Sequence, residues 1–147
     1  MATIVNSMKL EFPSRAENLG MARVAVAAFA SQLEFTLEEL EEIKVAVSEA
    51  VTNAIVHGYD NRAGLVWIVA SRSQEHLEIV IRDEGKGMAD VERILAVGLE
   101  GVEPGLGFMF MKSFMDEVRV DSEPGKGTAV IMIKRARSLA QAAATQI

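Results

Sequence analysis

Three polar residues, Glu49, Asn53 and His57, stand four apart within VSEAVTNAIVHGYD, residues 47–60. Four residues make slightly more than one helical turn, so a helix here lines up a carboxylate, an amide and an imidazole on one stripe. Most polar helix faces are simply solvated. This one is set among Ala46, Ala50 and Val56, small apolar neighbours that suit a face against which something docks. Three more stretches carry chemistry. DEGKGM, residues 83–88, places the carboxylate of Asp83 ahead of Gly85 and Gly87. That is either a tight turn or bare backbone able to approach a flat or charged ligand. PGLGF, residues 104–108, puts Gly105 and Gly107 at a helix start, where free N–H groups and the dipole favour an anion such as phosphate, or else forms a flexible loop. GKGTAV, residues 125–130, sets the Thr128 hydroxyl beside a hairpin turn, where it serves the turn or a ligand. The strand–GxGxxG–helix order of a dinucleotide fold is absent, and so is the GxxxxGK[ST] of a P-loop.

The elements that must position these residues follow from periodicity. MKLEF alternates apolar and polar residues and reads as a strand ending at Pro13. Residues 16–31 read as a helix, with Ser14 a candidate cap. A second helix is expected from Leu37 to His57, opened by a Thr36–Glu39 capping box, with Leu40, Ile43, Val47, Ala50, Val51 and Ala54 as its apolar stripe and Gly58 as its stop. LVWIVASR and HLEIVIRD make a hairpin around Ser73–Glu75, and EVRVDS and GTAVIMIKR make another around EPGKG. Between them lies a helix opened by GLGF, whose methionines and phenylalanines read as core; residues 89–104 read as part helix, part loop. One domain over residues 1–147 is expected, with residues 136–147 a loose tail. Its class is α+β, with segregated helices and a largely antiparallel sheet.

Bulk properties narrow the function. The 147 residues are half hydrophobic and 24% charged, ordinary for a globular chain. A formal charge of −6 argues against generic attraction to nucleic acid or an anionic membrane. The absence of cysteine removes disulfides, thiol nucleophiles and zinc–thiolate sites. No window is long and apolar enough to span a bilayer, and the first residues lack a signal-peptide core, so a cytoplasmic location is expected.

The order of these motifs resembles the GHKL ATP-binding superfamily, which includes gyrase B, MutL proteins, histidine kinases and a heat-shock chaperone. Within it, EIKVAVSEAVTNAIVHGY, IRDEGKGM, SFMDEVRVDSEPGKGTAV and MARVAVAAF are similar to the anti-sigma-F factor and serine kinase family of the SpoIIAB type, with RsbW-type stress-response kinases more distant. The resemblance covers residues 8–134. It implies a two-layer α/β sandwich, with a mostly antiparallel sheet, that holds ATP between helices and a lid. It further implies that Asn53 ligates Mg²⁺, that Glu49 is the general base, and that His57 stands near the same site without an assigned role. Asp83 and Thr128 would serve the adenine end, Gly85 and Gly87 would let the backbone pass the nucleotide, and Gly105 and Gly107 would meet the phosphates. The implied partners are a sporulation sigma factor, contacted by Arg23, and a SpoIIAA-like anti-anti-sigma protein phosphorylated on serine; the implied assembly is a homodimer. One departure weighs against phosphotransfer. The lid, residues 89–104, looks short, and no Lys or Arg occurs between Ile94 and Met111 while Glu100 and Glu103 are acidic. Phosphoryl transfer needs positive charge near the γ-phosphate. Lys86, Arg93, Lys112 or the partner would have to supply it, and a non-catalytic ATP-dependent binding module is the alternative.

Overall fold

The computed structural model describes residues 3–89, 91 and 105–137. Its sheet has five strands: β1 (Asn6–Pro13), β2 (Leu65–Arg72), β3 (His76–Asp83), β4 (Glu117–Glu123) and β5 (Gly127–Arg135), in the spatial order β1-β2-β3-β5-β4. Every pairing is antiparallel. Both hairpins form where alternation and turn residues place them. The β2–β3 turn is closed by Ser73, whose N–H donates to the His76 carbonyl at 3.0 Å and whose hydroxyl accepts from the His76 N–H at 3.1 Å. Pro13 ends β1 at the sheet edge, where a missing N–H costs no ladder bond.

Three helices cover one face. A 3₁₀ turn (Ala16–Asn18) leads into α1 (Leu19–Ala30); α2 runs Leu37–Thr52 and continues as a π-helical turn over Asn53–Gly58; α3 is Gly105–Phe114. The capping box forms as its spacing predicts: the Glu39 N–H donates to Thr36 Oγ1 at 3.0 Å, and the Thr36 N–H to Glu39 Oε1 at 2.9 Å. Ser14 does not cap. It is buried, and its hydroxyl donates to the Arg62 carbonyl at 3.1 Å, so a loop distant in sequence claims it.

The core lies between the sheet and the helices. Val66, Ile68, Leu77, Ile79, Ile81, Val130 and Met132 meet Val26, Ile43, Val47, Val51, Phe108 and Met111. Burying each large aliphatic or aromatic side chain is worth about 1.5–3 kcal/mol, so this layer drives folding. The expected core role of α3 is only partly met: Phe108, Met111 and, just past the helix, Met115 are buried, whereas Met109 and Phe110 are exposed. Lys134 is buried at the far end of β5, and its ammonium donates to the Phe114 carbonyl at the C-terminal end of α3, where the helix dipole favours a cation. The expected tail beyond Arg137 and almost all of the expected lid lie outside the described residues.

Candidate functional site

The middle of the helix-facing side of the sheet is apolar, and apart from Lys134 at the far end of β5 its polar residues gather at one end. There the register aligns Phe12, Val66, Asp83, Thr128 and Ser122 in a single cross-strand row, and three of the five are polar. Asp83 and Thr128 are 3% and 4% exposed. The Gly85 N–H donates to Asp83 Oδ1 at 2.8 Å. Burial pushes the Asp83 carboxyl above its ordinary range, and the backbone N–H groups of Gly85 and Thr128 offset part of that. A buried carboxylate kept costly by desolvation is a group waiting for a donor.

Above this row stands the helix stripe. In a regular α-helix, residues at i and i+4 drift by about 40° per step. Here the Tyr59 N–H reaches the Ala54 carbonyl five residues back, and the wider turn returns His57 toward the line of Glu49 and Asn53. Glu49 and His57 are half-buried; Asn53 is 4% exposed. Its Oδ1 is the one buried side-chain N or O atom among the described residues without a hydrogen-bond partner. Buried polar atoms are almost always satisfied, so an orphan acceptor marks a position that something absent from the chain satisfies.

The glycines hold these pieces together. A Cβ on Gly107 would lie 2.9 Å from Glu49 Oε2, so the bare first turn of α3 leaves room for that carboxylate. Gly105 is the first residue of α3. A Cβ on Gly85 would fall 2.1 Å from the Gly58 carbonyl oxygen, and one on Gly58 within 2.9 Å of the Asp83 carboxylate. Gly87, at φ 72°, passes Glu123, whose carbonyl oxygen a Cβ would approach to 1.9 Å. Both glycines of DEGKGM are thus required by backbone-to-backbone crossings. Lys86 bonds through its N–H to the Gly58 carbonyl at 2.9 Å and pairs through Nζ with Asp60 at 2.9 Å. Arg23 lies apart from this cluster, exposed on α1.

Several residues of the site escape sequence reasoning. The Tyr59 hydroxyl accepts from the Glu84 N–H at 2.7 Å and donates to the Leu65 carbonyl at 2.6 Å, fastening the loop after β3 to the start of β2. Gly127, at φ 83°, lets β5 pass the Asp83 carbonyl, which a Cβ would reach at 2.2 Å. Ser122 completes the polar row. A cavity of about 500 Å³ is lined by Arg82, Asp83, Glu84, Asp121, Thr128 and Ala129, with the β4–β5 turn beside them. Arg82, Asp121 and Ala129 alternate with Asp83, Ser122 and Thr128 along their strands, so the cavity lies at the sheet end on the face away from the helices and reaches Asp83 and Thr128 there. No group of three or more His, Cys, Asp or Glu fit to hold a metal exists among the described residues. A hard cation that keeps most of its waters needs only one or two protein oxygens, and Asn53 Oδ1 suits that role.

The model of the histidine kinase-like ATPase domain matches residues 12–134, so the chain belongs to that family, an ATP-binding one. Within it the chain belongs with the anti-sigma F factors. It is 49% identical over 133 residues to that of Thermoanaerobacter sp. (strain X514), covering 88% of this chain and 93% of that protein, and 48% identical to that of Clostridium acetobutylicum, covering 88% and 94%. Solved structures share the fold. The RsbU and RsbW domains of a Mycobacterium tuberculosis protein match with TM-score 0.66 at 16% identity, over 90% of this chain and 32% of that one. The histidine kinase domain of an Erythrobacter litoralis blue-light activated kinase matches with TM-score 0.57 at 23% identity, over 82% and 60%. Among the described residues, no helix is long and apolar enough to cross a membrane.

Proposed function

We propose that this chain binds a sigma-F-type sigma factor, keeps it from RNA polymerase, and uses Mg-ATP to phosphorylate a serine on a SpoIIAA-like anti-anti-sigma protein. The observation that carries the reading is the unpartnered Oδ1 of Asn53, buried one helical step from Glu49. Asn53 would hold Mg²⁺ through that oxygen; the ion, when bound, neutralises charge on the phosphates. Asp83 accepts from the adenine amino group, with Thr128 beside it. Gly105 and Gly107 offer N–H groups at the α3 N-terminus to the phosphates, and Gly85 and Gly87 keep the loop's backbone low along the nucleotide. Glu49 takes the proton of the attacking serine hydroxyl as the new O–P bond forms and the bond from the γ-phosphorus to the bridging oxygen breaks, with ADP leaving. His57 borders the same ligand. Arg23, exposed on α1, is the partner contact. The protein works in the cytoplasm as a homodimer.

A second reading has its own observation. Lys86, one of few cations near the loops, is already paired with Asp60, and the sequence of the lid is acidic. In that reading ATP only shapes the partner surface. The two are separated by incubating the protein with its anti-anti-sigma partner and γ-labelled Mg-ATP while sigma-factor capture is followed in parallel. Label on the partner serine supports the kinase. Capture that depends on Mg-ATP, with no label transferred, makes the chain a binding module.

A further inference from the structure

The Ser122 hydroxyl has three polar neighbours, and only one arrangement of protons makes a hydrogen bond with all three. The Met88 N–H, which can only donate, lies 2.8 Å from Ser122 Oγ. The Gly127 carbonyl, which can only accept, lies 3.0 Å away. Thr128 Oγ1 is third, at 2.8 Å. A hydroxyl has one proton and two lone pairs. One lone pair takes the Met88 N–H, the proton goes to Gly127, and the remaining lone pair must accept. In that fully bonded arrangement Thr128 is the donor, and its only hydroxyl proton is spent on Ser122. What Thr128 has left is lone pairs.

From this we propose that Ser122 is a specificity-determining residue: it locks Thr128 as a pure hydrogen-bond acceptor, so that Asp83 and Thr128 together accept from an exocyclic amino group. The two lie directly opposite one another on β3 and β5, both buried, on the face that Gly58 closes. Two adjacent acceptors match the two protons of a 6-amino purine and oppose a 6-carbonyl purine at both points. A free threonine hydroxyl would not discriminate, because it turns to donate or accept as the ligand requires.

This rests on the adenine-nucleotide reading of the site, and the test separates the two. Calorimetry measures dissociation constants for Mg-ATP and Mg-ITP, which differ at the 6-position and its neighbouring ring nitrogen, with the wild type, Ser122→Ala, Thr128→Val and the double variant. The wild type prefers ATP. Ser122→Ala frees the Thr128 proton to donate to the 6-carbonyl, so the ITP-to-ATP ratio of dissociation constants falls about tenfold, chiefly through tighter ITP binding. In the Thr128→Val background, adding Ser122→Ala leaves the ratio where it was. A ratio unchanged by Ser122→Ala, with both affinities lowered alike, means Ser122 only supports the loop and overturns the proposal. So does a fall in the ratio that persists in the Thr128→Val background. A wild type that binds neither nucleotide sinks the adenine reading itself, and this inference with it.

Discussion

Asn53→Ala is the perturbation that best separates a residue kept for function from one kept for packing. In the ligand-free protein, Asn53 Oδ1 is buried without a partner. Leaving such a group unsatisfied costs about 1–3 kcal/mol. Replacement by alanine removes that cost and adds about 0.5 kcal/mol of helix propensity. It forfeits the packing of the amide, roughly 1 kcal/mol for a small cavity. The balance lies between about 0.5 and 2.5 kcal/mol in favour of the variant. At this chain length each kcal/mol shifts Tm by about 2–4 °C. Thermal unfolding without ligand should therefore show the variant as stable as the wild type or several degrees more so. With Mg-ATP at a hundredfold excess over its dissociation constant, the wild type gains about 2.7 kcal/mol. The variant, lacking the cation ligand, gains little, and the order of the two melting temperatures reverses. A variant that is less stable without ligand, yet raised as far by Mg-ATP as the wild type, would refute the assignment and make Asn53 a structural residue.

Glu49→Gln keeps the shape beside Gly107 and removes the base; nucleotide and sigma-factor binding should survive while labelling of the partner serine drops by about 10²–10⁴-fold, and a wild-type rate would end the general-base role. Asp83, whose carboxyl is held above its usual range by burial, predicts a pH dependence with a definite sign. A raised native pKa adds stability below the unfolded value of 3.8 and loses it as pH rises through the native value, so the charged form is the costly one. The adenine amino group needs that charged form, so ATP affinity should weaken as pH is lowered through the raised pKa. Asp83→Asn should abolish this trend and make the ligand-free protein more stable at neutral pH; calorimetry across pH and melting curves check both. Arg23→Glu reverses an exposed charge on α1 and should reduce sigma-factor capture at least tenfold with nucleotide affinity unchanged, read by pull-down beside calorimetry.

What the sequence determined by itself is everything that depends on neighbours a few residues away. Alternation bounded by turn residues places β2 and β3 residue for residue, because each strand's two faces are decided by its own pattern. The Thr36–Glu39 box opens α2 because both partners sit on the same turn. The spacing of Glu49, Asn53 and His57 is likewise local, and so is the approach of glycines to a helix start. Tertiary structure decided the rest. The π turn exists where the Gly58 carbonyl is drawn to the Lys86 N–H, and nothing in NAIVHG announces it. Ser14 looks like a cap until the Arg62 carbonyl arrives to claim its hydroxyl. The row of Asp83, Thr128 and Ser122 needs β5 between β3 and β4, an order that chain sequence does not imply, and a register that a slip of one residue would turn to the other face. Periodicity is written in each segment, but which buried oxygen meets which N–H is a property of segments brought together. For that reason the residues of the site were legible singly, and the proton pattern that makes them selective was not.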